Sequence, residues 1–149
     1  MIRCFFLRVC GLIALAAPGL ASALDYKSLA DNAIVYDAGS TKAQPQFILL
    51  KGTPVEIIVI VDRWAKVREQ SGGLGWVERG TLSDTRQVIV TATPGADVRL
   101  RAEEAAPVVF SANKDVLLEV LEKPAGAWLK VKHRDGQTGY VPLKSVWGI

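Results

Sequence analysis

His133 is the one histidine of the chain, and it stands between Lys132 and Arg134. No cluster of histidine, cysteine or aspartate surrounds it at metal-ligand spacing. A serine relay would need His133 together with a serine such as Ser111 or Ser145, and neither lies in a nucleophile elbow. Glu103 and Glu104 are sequence neighbours on a loop. They read as solvated, the alternative being an acidic rim that attracts an amine-bearing ligand. Lys130, Lys132 and Arg134 alternate on one strand face without further basic patches, which is a solvated face rather than a nucleic-acid surface. Gly72-Gly73-Leu74-Gly75 is a hairpin with no helix N-terminus behind it to hold an anion. These residues predict neither an enzyme nor a metal or cofactor site.

The aromatic residues are more informative. Trp64 and Trp76 are twelve residues apart, and Trp128 and Tyr140 repeat that spacing. The match extends well beyond them. Trp64-Ala65-Lys66-Val67-Arg68 aligns with Trp128-Leu129-Lys130-Val131-Lys132 at an offset of 64, and Gly72, Gly75, Val77 and Leu82 meet Gly136, Gly139, Val141 and Val146. Upstream, Ala33–Tyr36 falls over Asp97–Leu100 at the same offset. Between these blocks the offset reads as 61, with three extra residues around Lys123–Gly126. Two copies are too few for a solenoid, so the sequence predicts a tandem pair of small domains.

Each copy is a series of short, β-branched runs bounded by glycine and proline. The first has Phe47–Leu50, Val55–Val61, Trp64–Glu69 and Leu74–Glu78; the second has Val116–Glu122, Ala127–His133 and Thr138–Pro142. Five strands per unit predict an all-β fold of two small closed barrels. Closure would also protect Val55–Val61 from edge-to-edge pairing. Strand alternation turns Ala65, Val67, Leu129 and Val131 inward. Trp64, Trp76, Trp128 and Tyr140 then face outward, two rings per unit. Such rings form a platform for a sugar face or an extended peptide. Alternatively, they cover one end of each core or pack between the units. Trp147 is assigned to packing of the C-terminus.

Composition sets the context. With half its residues hydrophobic and 22% charged, the chain is globular rather than disordered. Residues 1–23 read as a secretory signal: a basic start, an apolar stretch from Phe5 to Ala17, and Ala21-Ser22-Ala23 for cleavage. Removing Arg3 and Arg8 from the 18 basic residues leaves 16 against 15 acidic ones, a net charge of +1. That charge gives little reason to invoke capture by nucleic acid or by an anionic membrane. Both cysteines, Cys4 and Cys10, lie in this segment, so the mature chain has no disulfide. Two disulfide-free units of this size have marginal cores, which predicts that they pack against each other. The expected organisation is a signal over 1–23, domains over 29–82 and 88–149, and a linker over 83–87.

Pro54–Ile58, Trp64–Arg68, Gly75-Trp76-Val77 and the terminal Val146-Trp147-Gly148 together resemble the tandem SH3-like domains of exported bacterial proteins. The resemblance covers roughly residues 29–149 and implies SH3-like barrels. The second copy also looks like a eukaryotic SH3 domain at Trp128, Tyr140 and Pro142, but Ser145 stands where that domain has a tyrosine. In the first copy Trp64 and Trp76 match, while Glu78 and Thr81 replace the proline and the tyrosine. An incomplete groove argues against ordinary PxxP recognition. Relatives that bind cell-wall peptides or other proteins imply a periplasmic or secreted binding module, with no membrane insertion after cleavage. Its expected ligand is the peptidoglycan stem peptide, bound by Trp64, Trp76, Trp128, Tyr140 and Pro142. The alternative is a scaffold for another periplasmic protein.

Overall fold

The computed structural model describes residues 24–149, and the export signal read over 1–23 lies outside them. The described chain is all-β. Its first half forms β1 (Asp25–Leu29), β2 (Ala33–Tyr36), β3 (Pro45–Leu49), β4 (Pro54–Val61), β5 (Trp64–Arg68), β6 (Leu74–Glu78) and β7 (Leu82–Ser83). The second half forms β8 (Gln87–Val90), β9 (Gly95–Arg99), β10 (Val108–Asn113), β11 (Leu117–Val120), β12 (Trp128–Lys132), β13 (Thr138–Pro142) and β14 (Val146–Trp147). A single 3-10 turn precedes the last strand of each half, Arg79–Thr81 and Leu143–Ser145.

Each half is a seven-stranded antiparallel sheet, ordered β3-β2-β6-β5-β4-β1-β7 and β10-β9-β13-β12-β11-β8-β14. Seven strands replace the five read from the sequence, and β1 begins ahead of residue 29. Both ladders are linear, with β3 and β7, or β10 and β14, at their ends. The first core packs Leu29, Ala33, Val35, Val55, Ala65, Val67 and Val77; the second packs Val88, Val90, Val98, Leu118, Leu129, Val131 and Val141. The inward positions of β5 and β12 are thus the aliphatic alternates of each strand. Burying such side chains contributes about 1.5–3 kcal/mol apiece.

Strand pairing corrects the register of the internal repeat. Glu56 lies across from Arg68 and Glu119 across from Lys132. Tyr36 lies across from Trp76, and Arg99 across from Tyr140. The copies are therefore offset by 63 residues through β2 and β4, neither the 64 nor the 61 read from the sequence, and by 64 from β5 onward. A Cβ on Gly75 would strike Val35, and one on Gly139 would strike Val98, which confirms the equivalence of the two valines. Aliphatic runs slide past each other in an alignment without visible penalty, whereas in a sheet a one-residue slip exchanges the faces.

β4 carries a bulge between Ile57 and Val59. Beyond it the strand outruns β1, whose last partner is Ile57. Ile58, Val59, Ile60 and Val61 are 41–49% exposed, so this stretch lacks the protection that barrel closure was expected to give it.

The two sheets meet along β1. Ser28, buried, accepts a hydrogen bond at its hydroxyl oxygen from the Gln87 amide (2.9 Å). Tyr26 meets Trp147 edge to face at 5.2 Å, and the Arg86 guanidinium lies over the Tyr26 ring at 5.9 Å. Arg86 also donates to the Gly148 carbonyl (2.8 Å), and Lys27 pairs with Asp84. Gly148 has φ +115°, and a Cβ there would come within 2.8 Å of Pro54. Burial, followed by the nearby Glu56 carboxylate, raises the Tyr26 hydroxyl pKa above its ordinary value. This junction predicts that Trp147→Ala lowers the unfolding free energy of the chain by about 2–4 kcal/mol. Urea unfolding measures it, and a loss below about 0.5 kcal/mol, the usual effect of a surface change, would show that the halves are not held together here.

Candidate functional site

All five residues singled out as ligand contacts lie on the sheet face opposite the cores. In the first half Trp64 pairs with Glu78 and Lys66 with Trp76; in the second Trp128 pairs with Pro142 and Lys130 with Tyr140. The pleat therefore lines up Trp128, Tyr140 and Pro142 on one surface, as alternation requires. What covers that surface differs between the halves.

In the first half the rings are roofed by the chain itself. Trp64 is only 6% exposed, which corrects the reading of it as an open platform residue. Tyr36 stands edge-on to it at 5.4 Å and 85°. The 37–44 loop lies against both tryptophans: a Cβ on Gly39 would come within 2.9 Å of the Trp76 ring and 3.2 Å of Trp64 Cβ. Asp37 fixes the loop, its amide donating to the Gln44 carbonyl (3.1 Å) and its carboxylate accepting from the Gln44 amide (2.9 Å). Trp76 is half-buried beneath the same loop.

In the second half Arg99 occupies the place of Tyr36. Its guanidinium donates to the Ala106 carbonyl (2.9 Å) and lies 3.6 Å from Asp97. Trp128 is left half-buried, and beside it opens a groove of about 380 Å³ lined by Glu104, Ala127, Trp128, Pro142, Leu143 and Lys144. The Leu143 amide donates to the Ala127 carbonyl (2.9 Å) and ties the 3-10 turn to the groove wall. Tyr140 lies one strand pair along, outside the groove. Lys130 stands 5.9 Å over its ring and pairs with Glu122 at 2.8 Å. The hydrogen bond to Glu122, its charge and then Tyr140 raise the Lys130 pKa.

The structure thus brings Trp128 and Pro142 together, places Tyr140 beside them, buries Trp64 and leaves Trp76 half-buried. Sequence reading missed Ala127, Leu143 and Lys144, and treated Glu104 only as a solvated or rim carboxylate. The position of Leu143 and Lys144 directly after Pro142, on the turn that ends the strand, was the signal available. His133 lines a separate depression of about 460 Å³ with Gln87, Asp115 and Arg134, among others. There Lys132 is paired with Glu119 at 3.1 Å, and His133 Nδ1 lies 3.0 Å from the Asp135 carboxylate.

A family model described as "Bacterial SH3 domain" matches residues 30–84, and a second of the same description matches residues 94–146. The chain is a tandem pair of bacterial SH3 domains. No curated protein matches it. Among solved structures it is similar to NlpC2 from Trichomonas vaginalis, at 13% identity and a TM-score of 0.39, over 84% of this chain and 48% of that one. NlpC1 from the same organism is 14% identical over 91% of this chain and 50% of its own, also with a TM-score of 0.39. An NlpC/P60 family protein from Bacillus cereus is 13% identical over 83% of this chain and 56% of its own, with a TM-score of 0.38. The pair of SH3 domains spans about half the length of these proteins.

In the second SH3 domain the β12–β13 hairpin carries both Trp128 and Pro142, and Asp135 shapes its turn. Its carboxylate accepts from the Gln137 amide (3.0 Å) and from the Gln137 side chain (2.8 Å), with Gly136 at φ +95°. These bonds, the backbone one first, lower its pKa from 3.8 to about 2. A carboxyl more acidic in the folded state stabilises the fold above its unfolded pKa, and that stabilisation disappears as pH falls through the folded value. Stability should therefore decline between about pH 3.8 and about pH 2 partly through Asp135, and Asp135→Ala should flatten that slope in urea melts taken across the window. An unchanged slope in the variant would show that the turn does not hold the carboxylate.

Proposed function

We propose that this tandem pair is an exported, non-catalytic binding module that recognises peptidoglycan through its stem peptide. The observation that carries the reading is the groove of about 380 Å³ beside Trp128 and Pro142 on the second SH3 domain. It combines a half-buried indole, a rigid proline and a leucine with a small number of charged groups at its margin. Apolar walls supply affinity and sparse polar groups supply orientation, which is the usual make-up of a small-ligand site. In the first domain Trp64 is buried with Tyr36 edge-on to it, and the loop at Gly39 lies against the Trp76 ring. Binding therefore resides in the second domain, and the first supports it through the β1 junction.

A second reading, a scaffold for another periplasmic protein, draws on a different feature. Ile58–Val61 presents four consecutive exposed aliphatic residues at the tip of the β4–β5 hairpin, apolar surface on both faces that a protein partner could cover. Retention on purified cell-wall sacculi separates the two readings. Peptidoglycan recognition predicts that wild-type protein is retained and that Trp128→Ala, with its circular dichroism unchanged, loses roughly tenfold or more, as expected for an aromatic anchor. No retention of the wild type, with a single protein co-purifying from the native envelope, would favour the scaffold.

A further inference from the structure

We infer, resting on the peptidoglycan reading, that the groove of the second SH3 domain takes a zwitterionic amino-acid head group. Its ammonium is directed to Glu104, its carboxylate to Lys144, and its aliphatic stem lies against Trp128 and Pro142.

Glu104 and Lys144 both line the groove. Among the described residues neither forms an ion pair or a side-chain hydrogen bond, although the charges around them are engaged. Arg101 pairs with Glu103 at 2.8 Å, Arg99 binds the Ala106 carbonyl, and Lys130 pairs with Glu122. One free carboxylate and one free ammonium at an apolar opening cancel in net charge. A ligand carrying a single charge would gain from one group and be repelled by the other, whereas a zwitterion gains from both.

The tyrosine that would extend an SH3 groove is missing here. Ser145, where an SH3 groove for polyproline would continue with a tyrosine, is buried at 8% exposure. Its carbonyl is taken up by the amides of Thr91 (2.9 Å) and Ala92 (3.3 Å). No side chain from that position extends the aromatic surface. The first domain provides an internal contrast. In the 64-residue register of the closing strands, Gly80 stands at the place of Lys144 and Glu78 at that of Pro142. It has neither the cation nor the apolar wall, so the chain should bind one ligand per molecule.

The test is isothermal titration calorimetry of the tandem protein at low ionic strength. The probe is a soluble stem tripeptide ending in diaminopimelate, whose side-chain end bears a free amine and a free carboxylate. Two capped forms accompany it, one with that amine acetylated and one with that carboxylate amidated. One site per chain is expected, and each cap should weaken binding by about tenfold, the scale of a charge-assisted hydrogen bond. Acetylation should then make less than about a twofold difference in Glu104→Gln, and amidation likewise in Lys144→Gln, since each variant has already lost the partner group. If Trp128→Ala abolishes binding while neither cap nor either charge variant changes affinity by about twofold, the zwitterion inference is overturned and the groove stands as a cell-wall site. If wild-type protein binds no form of the peptide and is not retained on sacculi, both fall.

Discussion

A sheet whose inner face makes the core leaves an outer face that must be roofed or remain available, and here one side chain decides which. Tyr36 and Arg99 hold equivalent positions, each across from the aromatic residue of the closing strand. The tyrosine turns its ring edge onto Trp64, and the loop settles against the Trp76 ring and the Trp64 Cβ. The arginine is drawn instead to a loop carbonyl and to Asp97. A guanidinium seeks oxygen acceptors, so it props its loop from the side and leaves Trp128 partly open. Two copies of one design thus come to differ in availability without differing in fold.

This asymmetry gives the pair a division of labour. The first domain buries Trp64 against Tyr36 and its own loop. It also supplies β1, which carries Tyr26 and Ser28 into the junction with Gln87, Arg86 and Trp147. A chain whose cysteines both lie within residues 1–23 has only packing to hold two small cores in register. The junction meets that need with an aromatic contact, a buried hydroxyl acceptor and glycines that let the backbones approach closely. In the second domain Trp128 stays half-buried beside an open groove.

Much of the architecture was legible in the sequence. β-branched runs between glycine turns marked β4, β5, β6, β12 and β13, and alternation identified Ala65, Val67, Leu129 and Val131 as core. The repeat register was not legible, because valine and isoleucine runs align equally well at neighbouring offsets and only strand pairing distinguishes them. β1 escaped because Asp25-Tyr26-Lys27-Ser28-Leu29 buries its polar serine at the junction, where a single-domain pattern does not apply. Trp128 and Pro142 were read together because they follow from spacing and alternation. The roof over Trp64 depends on a loop folding back through Gly39, a long-range contact that composition does not encode. Glu104 and Lys144 became visible as groove residues only when the loop after β9 and the turn after β13 were brought to the same opening.

The two domains present unequal outer faces, with Trp64 buried by its own domain and Trp128 half-buried beside a groove. Amide chemical-shift mapping of the tandem protein with a soluble peptidoglycan fragment tests this inequality most directly. The account predicts shifts concentrated at Glu104, Ala127–Trp128 and Leu143–Lys144, with the 37–44 loop and Trp64 unmoved. Shifts centred on Gly39 and Trp64, with the second domain silent, would contradict it.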